Sequence, residues 1–182
     1  MPALFCNILG GPGTGKSTVA SGVFCKLKLM GFNAEYIQEY AKDKTWEKNR
    51  IALDCQPYIM GKQLFRQYRL MDQVEIAVTD TSLLLANVYK TFGVTPSYEK
   101  TTIEQFNLFD NMCIFLVRNT DAHPYNPKGR SQNEDEAKEL DAQILELLID
   151  NHIPFHTVRV AKDDSTVNTC VELIQRKLTN SE

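Results

Sequence analysis

Apolar positions along this chain follow two alternating patterns. Residues 3–9, 34–38, 74–79, 112–117 and 155–160 are short, nearly continuous apolar runs, the signature of strands buried on both faces. Between them the spacing turns helical. Val19, Val23, Phe24, Leu27 and Met30 recur at three to four residues until Gly31 supplies a stop, and similar periodicity predicts helices over 53–71, 96–109, 133–149 and 165–178. Thr81 and Ser82 open a further helix over 83–89. Strands alternating with helices imply an α/β fold, a three-layer α/β/α sandwich around a five-stranded parallel sheet. Ligands of such sheets gather at the carboxyl ends of the strands.

The 182 residues suffice for a single domain, 1–182, and the polar, proline-containing stretch 119–131 marks a long loop, part of a lid over about 119–135. Hydrophobic residues make up 43 %, with no run near the roughly 18–20 residues a membrane span needs. The start of the chain lacks the basic and apolar regions of a secretory signal, so a cytoplasmic location is expected. Cys6, Cys25, Cys55, Cys113 and Cys170 are odd in number and widely spaced, which reads as free thiols. The net charge of −3 gives no global basic excess for holding nucleic acid. Two local basic stretches, Lys42, Lys44, Lys48 and Arg50, then Lys62, Arg66 and Arg69, read first as solvated helix faces.

Directly behind the first apolar run, residues 10–17 read Gly-Gly-Pro-Gly-Thr-Gly-Lys-Ser, a complete G-x-x-x-x-G-K-[ST] phosphate-binding loop. A strand before it and a helix after it provide the context that separates this motif from a chance match. Gly11, Gly13, Thr14 and Gly15 let backbone N–H groups converge on phosphate oxygens, and the following helix adds the positive end of its dipole. Lys16 can reach the β- and γ-phosphates, Ser17 is placed to coordinate Mg²⁺, and Thr18 prolongs the polar helix start.

Four more strand ends complete a candidate site. Asp80 closes the third strand, where a carboxylate would hold Mg²⁺ through water, with acceptor binding or a helix cap as alternatives. Glu39 ends the second strand, placed to take the proton of an acceptor hydroxyl, and Asp43 competes for that role. Arg118 follows the fourth strand and Lys162 the fifth, both candidate nucleotide contacts. Arg130, with Lys128 and Arg118, is expected to act as a lid cation over the phosphates. Gln56 and Gln63 share a helix face with aromatic neighbours, suited to a base or nicotinamide ring, but read first as a mixed helix face without a ligand. Tyr40 and Trp46 read either as stacking groups or as core.

The segments Gly10–Thr18, Glu39-Tyr-Ala-Lys-Asp43, Val78-Thr-Asp-Thr-Ser82 and 129–136 (Gly-Arg-Ser-Gln-Asn-Glu-Asp-Glu) together resemble the small phosphate-loop kinases and ATPases similar to the nicotinamide riboside kinase domain, including bacteriophage members. The resemblance implies a nucleoside-kinase-like fold, ATP with Mg²⁺ as donor, Glu39 and Asp80 near acceptor and metal, and a lid around 125–130. Three readings follow. The first is a phosphotransferase moving the γ-phosphate to a hydroxyl of a nucleoside- or nucleotide-like acceptor. The second is a phage-type kinase acting on a hydroxymethylated pyrimidine in DNA. The third is an ATPase or nucleotide-dependent switch without an acceptor. A homodimer is left open as a partner.

Overall fold

The computed structural model describes residues 2–122, 124–125 and 133–180. Five strands, β1 (Leu4–Leu9), β2 (Ala34–Ile37), β3 (Ile76–Thr79), β4 (Asp110–Val117) and β5 (Phe155–Arg159), form one sheet in the order β2-β3-β1-β4-β5. All four pairings are parallel, with Leu4 beside both Ile76 and Asp110, Ala34 beside Ile76, and Cys113 beside Phe155. β1 therefore sits at the centre, which explains why all six of its residues are buried.

The two-residue period of β1 divides the core. Leu4, Cys6 and Ile8 face one side, where Val19, Val23 and Leu27 of α1 (Lys16–Leu29) and Cys170, Val171 and Ile174 of α7 (Ser165–Thr179) cover them. Ala3, Phe5 and Leu9 face the other, packed with Leu83–Leu85, with Phe106 of α5 (Pro96–Phe106) and with Ile144 and Leu148 of α6 (Glu134–Asp150). The expected three-layer α/β/α sandwich with a five-stranded parallel sheet is the observed fold. α6 opens on a capping box in which Asn133 accepts from the Glu136 N–H and the Glu136 carboxylate accepts from the Asn133 N–H.

The differences lie around the second strand end. Residues left without an element form two short helices, α2 (Tyr40–Trp46) and α3 (Arg50–Leu53). The sequence hides them because neither has an apolar stripe: residues 38–55 are all partly or fully exposed. The helix predicted over 53–71 is α4 (Gln56–Tyr68), starting where Pro57 suits a first helical turn. The segment 83–89 is a 3₁₀ turn, Leu83–Asn87, buried at every residue, rather than an α-helix. β4 begins at Asp110, ahead of the predicted 112, because pairing with β1 starts at Leu4.

Candidate active site

The phosphate loop leaves β1 at Leu9. Gly10 has φ 144°, and a Cβ there would lie 2.8 Å from Thr14 Oγ1, which donates to the Gly11 carbonyl at 2.9 Å. Gly13 and Gly15 take positive φ of 81° and 90°, conformations that side chains rarely adopt. Gly15 caps α1 without a side-chain hydrogen bond, so the backbone N–H groups of the first turn face outward. A Cβ on Gly15 would meet no protein atom within 4 Å, the open approach that a phosphate group requires.

Behind the loop, α6 supplies a brace. Asp141 accepts from the Gly11 N–H and, through its other oxygen, from Arg118 Nε at 2.8 Å. Arg118 also donates to the Pro12 carbonyl at 2.9 Å. Gly11 fits so closely here that a Cβ would fall 2.5 Å from the Ala137 carbonyl oxygen. On its other flank, the Tyr125 ring lies 2.9 Å from where a Gly13 Cβ would be.

Lys16 bends back to donate to the Gly11 carbonyl at 3.0 Å. Burial lowers the pKa of its ammonium, and the carboxylates of Glu39, Asp80 and Asp141 oppose that shift. Glu39, placed at the start of α2 by the end of β2, has its pKa raised, chiefly by burial and further by Asp80, against the pull of Lys16. Asp80 is only 2 % exposed, and its Oδ1 has no hydrogen-bond partner among the described residues. A buried, unsatisfied carboxylate oxygen facing a lysine and a phosphate loop is the donor that a divalent cation with phosphate and water ligands would complete. The Tyr36 phenol, beside Asp80 and Ser21, is pushed well above its ordinary pKa by burial and then by Asp80.

These groups line a cavity of about 870 Å³ that runs from Gly13, Lys16 and Ser17 past Glu39 and Asp80 to the face of α4. Beyond Glu39 the lining mixes Leu53, Ile59, Met60, Leu85 and Ala86 with Lys42, Thr45, Asp54, Gln56 and Gln63. Trp46 and Arg50 stand at its rim.

Gly13, Gly15, Lys16, Ser17, Thr18, Glu39 and Asp80 thus share one cavity, while Gly11 and Thr14 hold the loop from beneath. Arg118 does not hang free as a lid cation: its side chain is 10 % exposed and tied to Asp141, Pro12 and Ala137. Asp43 points to Arg66 at 2.6 Å rather than lining the cavity, which leaves Glu39 the better placed carboxylate. Lys162 is exposed beyond β5 and lies outside that cavity lining. Arg130 and Lys128 lie outside the described residues, as do 123, 126–127, 129 and 131–132 of the lid segment 119–135.

Asp141 was missed in the sequence. Its signal is a carboxylate at the position where the buried stripe Ala137, Ile144, Leu148 of α6 would place another apolar residue.

The parallel sheet order and the phosphate-binding loop behind β1 define a phosphate-loop α/β protein of the nucleoside and nucleotide kinase fold. Residues 5–164 match the family model described as an AAA domain, and the chain belongs to that family. No curated protein matches the sequence. A structure of thymidylate kinase from Ehrlichia chaffeensis aligns over 97 % of this chain and 100 % of its own, with TM-score 0.64 and 11 % identity. Deoxyadenosine kinase from M. mycoides, solved with the products dCMP and a flexible dCDP, aligns over 98 % and 100 % with TM-score 0.55 and 21 % identity.

Proposed function

We propose that this protein is an ATP- and Mg²⁺-dependent phosphotransferase that moves the γ-phosphate to a hydroxyl of a nucleoside- or nucleotide-like acceptor. The observation that carries this reading is the cavity itself, which continues past the phosphate loop and Glu39 into a chamber of mixed polar and apolar lining. A nucleotide-hydrolysing switch has no need of a second chamber. The two kinases of the same fold act on nucleoside and nucleotide substrates, which supports an acceptor of that kind.

In this reading Gly13, Gly15 and the first turn of α1 cradle the β- and γ-phosphates, and Lys16 turns from the Gly11 carbonyl to the phosphate oxygens. Ser17 and Asp80 are the residues that would hold Mg²⁺, which neutralises phosphate charge when bound. Glu39 accepts the proton of the acceptor hydroxyl, and burial raises its pKa, which strengthens it as a base. Arg118 and Asp141 keep the loop in its bound shape. Arg130 is assigned to the phosphates by its sequence position alone.

A second acceptor class, a modified pyrimidine in a DNA strand, draws support from local charge. Residues 36–71 carry seven lysines and arginines against four acids, although the whole chain is acidic, and they expose Trp46, Phe65 and Tyr68.

The test is transfer from γ-labelled ATP across nucleosides, mononucleotides and hydroxymethyluracil-containing DNA. Label recovered in an acceptor supports the reading, and release of free phosphate alone overturns it.

A further inference from the structure

The outer face of α4 carries charge and rings that the candidate active site does not use. Tyr58, Lys62, Phe65 and Arg69 recur at intervals of four, three and four residues, so they form one stripe, opposite the buried Gln56, Met60, Gln63 and Gln67. Arg66 flanks the stripe. No acidic residue lies between Asp54 and Asp72, although the chain as a whole has a net charge of −3. Among the described residues Arg66 is paired, with Asp43 at 2.6 Å, whereas Lys62 and Arg69 have no acidic partner.

Lys62, Phe65, Arg66 and Arg69 bound a second cavity, of about 390 Å³, against Tyr36 and Ile37 of the edge strand β2. It shares no lining residue with the cavity around Lys16 and Asp80: Glu39 lines that one, while its neighbours Gln38 and Tyr40 line this one. Two of the cations are held over rings, Lys62 Nζ at 5.6 Å from the Tyr58 centroid and the Arg66 guanidinium at 5.1 Å from that of Tyr40. The two tyrosine hydroxyls meet at 2.6 Å, and Arg66 donates to the Gln38 carbonyl at 2.9 Å. Phe65 is 62 % exposed between Lys62 and Arg69, and no other described ring packs on it.

An open ring between unopposed cations suits a ligand that alternates flat faces with negative charge, which is the make-up of a nucleic-acid strand with unpaired bases. An acidic peptide supplies the charge without the faces, and a duplex keeps its base faces stacked inside. From Lys62 to Arg69 the helix rises about 10 Å, so the two cations meet successive phosphates rather than one. From the stripe, the cavity beside it and the absence of acids, we infer that the outer face of α4 docks single-stranded nucleic acid, with backbone phosphates on Lys62 and Arg69 and a base stacked on Phe65 at the cavity. Arg66, committed to Asp43 and Gln38, shapes the wall. This site is separate from the two-substrate cavity and does not depend on what is phosphorylated there.

The experiment is fluorescence anisotropy of a labelled oligo(dT) titrated with the full chain between about 50 and 200 mM salt. The wild-type protein should bind it, more weakly as salt rises. Phe65→Ala should weaken binding roughly tenfold. Lys62→Gln combined with Arg69→Gln should weaken it further and flatten the dependence of log K on log salt by about 0.7 for each cation removed. Both variants should keep the wild-type melting temperature and the wild-type affinity for a non-hydrolysable ATP analogue, which separates loss of the docking face from loss of the fold. No binding by the wild-type protein, binding to duplex or to polyglutamate as tight as to the single strand, or affinity and salt slope unchanged in the folded variants would overturn the inference. Because binding is read without turnover, failure here leaves phosphoryl transfer to be measured, and absent transfer leaves strand binding measurable.

Discussion

Asp141→Asn isolates the brace beneath the phosphate loop. The asparagine keeps one oxygen for the Gly11 N–H, but its NH₂ replaces the oxygen that accepts from Arg118 Nε, setting donor against donor at a contact that now spans 2.8 Å. Breaking a fully buried pair costs about 3–5 kcal/mol, and a hydrogen bond to a charged group contributes about 1.5–3 kcal/mol. Since the Arg118 and Asp141 side chains keep 10 % and 15 % of their surface in solvent, the lower figure applies, and we expect a loss of about 2 kcal/mol. For a chain of this size that is a drop in melting temperature of about 4–8 °C. The loop should also lose its fixed shape, weakening ATP roughly tenfold, about 1.4 kcal/mol. Scanning calorimetry reads the first quantity and titration with the ATP analogue the second. In a cycle with Arg118→Met, the second substitution should cost little once Asp141 has been changed. A melting temperature within about 1 °C of wild type, together with unaltered nucleotide affinity, would refute the brace.

Glu39→Gln should lower transfer by about 10²–10⁴-fold while raising thermal stability at neutral pH. The sign follows from its raised pKa: the folded state binds this proton more readily than the unfolded chain, so stability falls as pH climbs from the ordinary carboxylate range through the raised value. A melting temperature that is lower in the variant at neutral pH, or a transfer rate with no acidic limb above the usual carboxylate range, would contradict it. Asp80→Asn should shift the Mg²⁺ dependence of transfer to higher concentration, and an unchanged titration at limiting Mg²⁺ removes Asp80 from the metal. Two glycine variants should separate packing from conformation. Gly11→Ala places a methyl 2.5 Å from the Ala137 oxygen and should reduce the soluble folded yield, whereas Gly15→Ala, with open space but φ 90°, should fold and lose ATP binding. Circular dichroism with nucleotide titration distinguishes them.

The sheet and its covering helices were legible because β1, β3 and β4 are buried on both faces and their apolar runs admit no other reading. The phosphate loop was legible because its glycines carry backbone requirements that few other sequences meet. Glu39 and Asp80 followed from topology, since parallel strands bring their carboxyl ends to one edge. What escaped was set by contacts across long sequence separations. Asp141 reaches Gly11 over 130 positions, and only the fold shows that a charge within the α6 stripe has a backbone partner. Arg118, just past β4, looked like a free cation because its counter-charge, Asp141, is on α6.

The segment 40–55, partly or fully exposed throughout, forms a side of the cavity beyond Glu39 yet contributes nothing fully buried to either core. It is fastened mainly by side-chain links to α4, among them Arg66 with Asp43 and with the Gln38 carbonyl, and Tyr40 with Tyr58. Substitutions at such positions change folding stability by about 0.5 kcal/mol or less. On the proposed reading, descent can therefore rewrite this wall beyond Glu39 residue by residue while the phosphate loop stays fixed by its core, so a change of acceptor need not pass through an unstable intermediate.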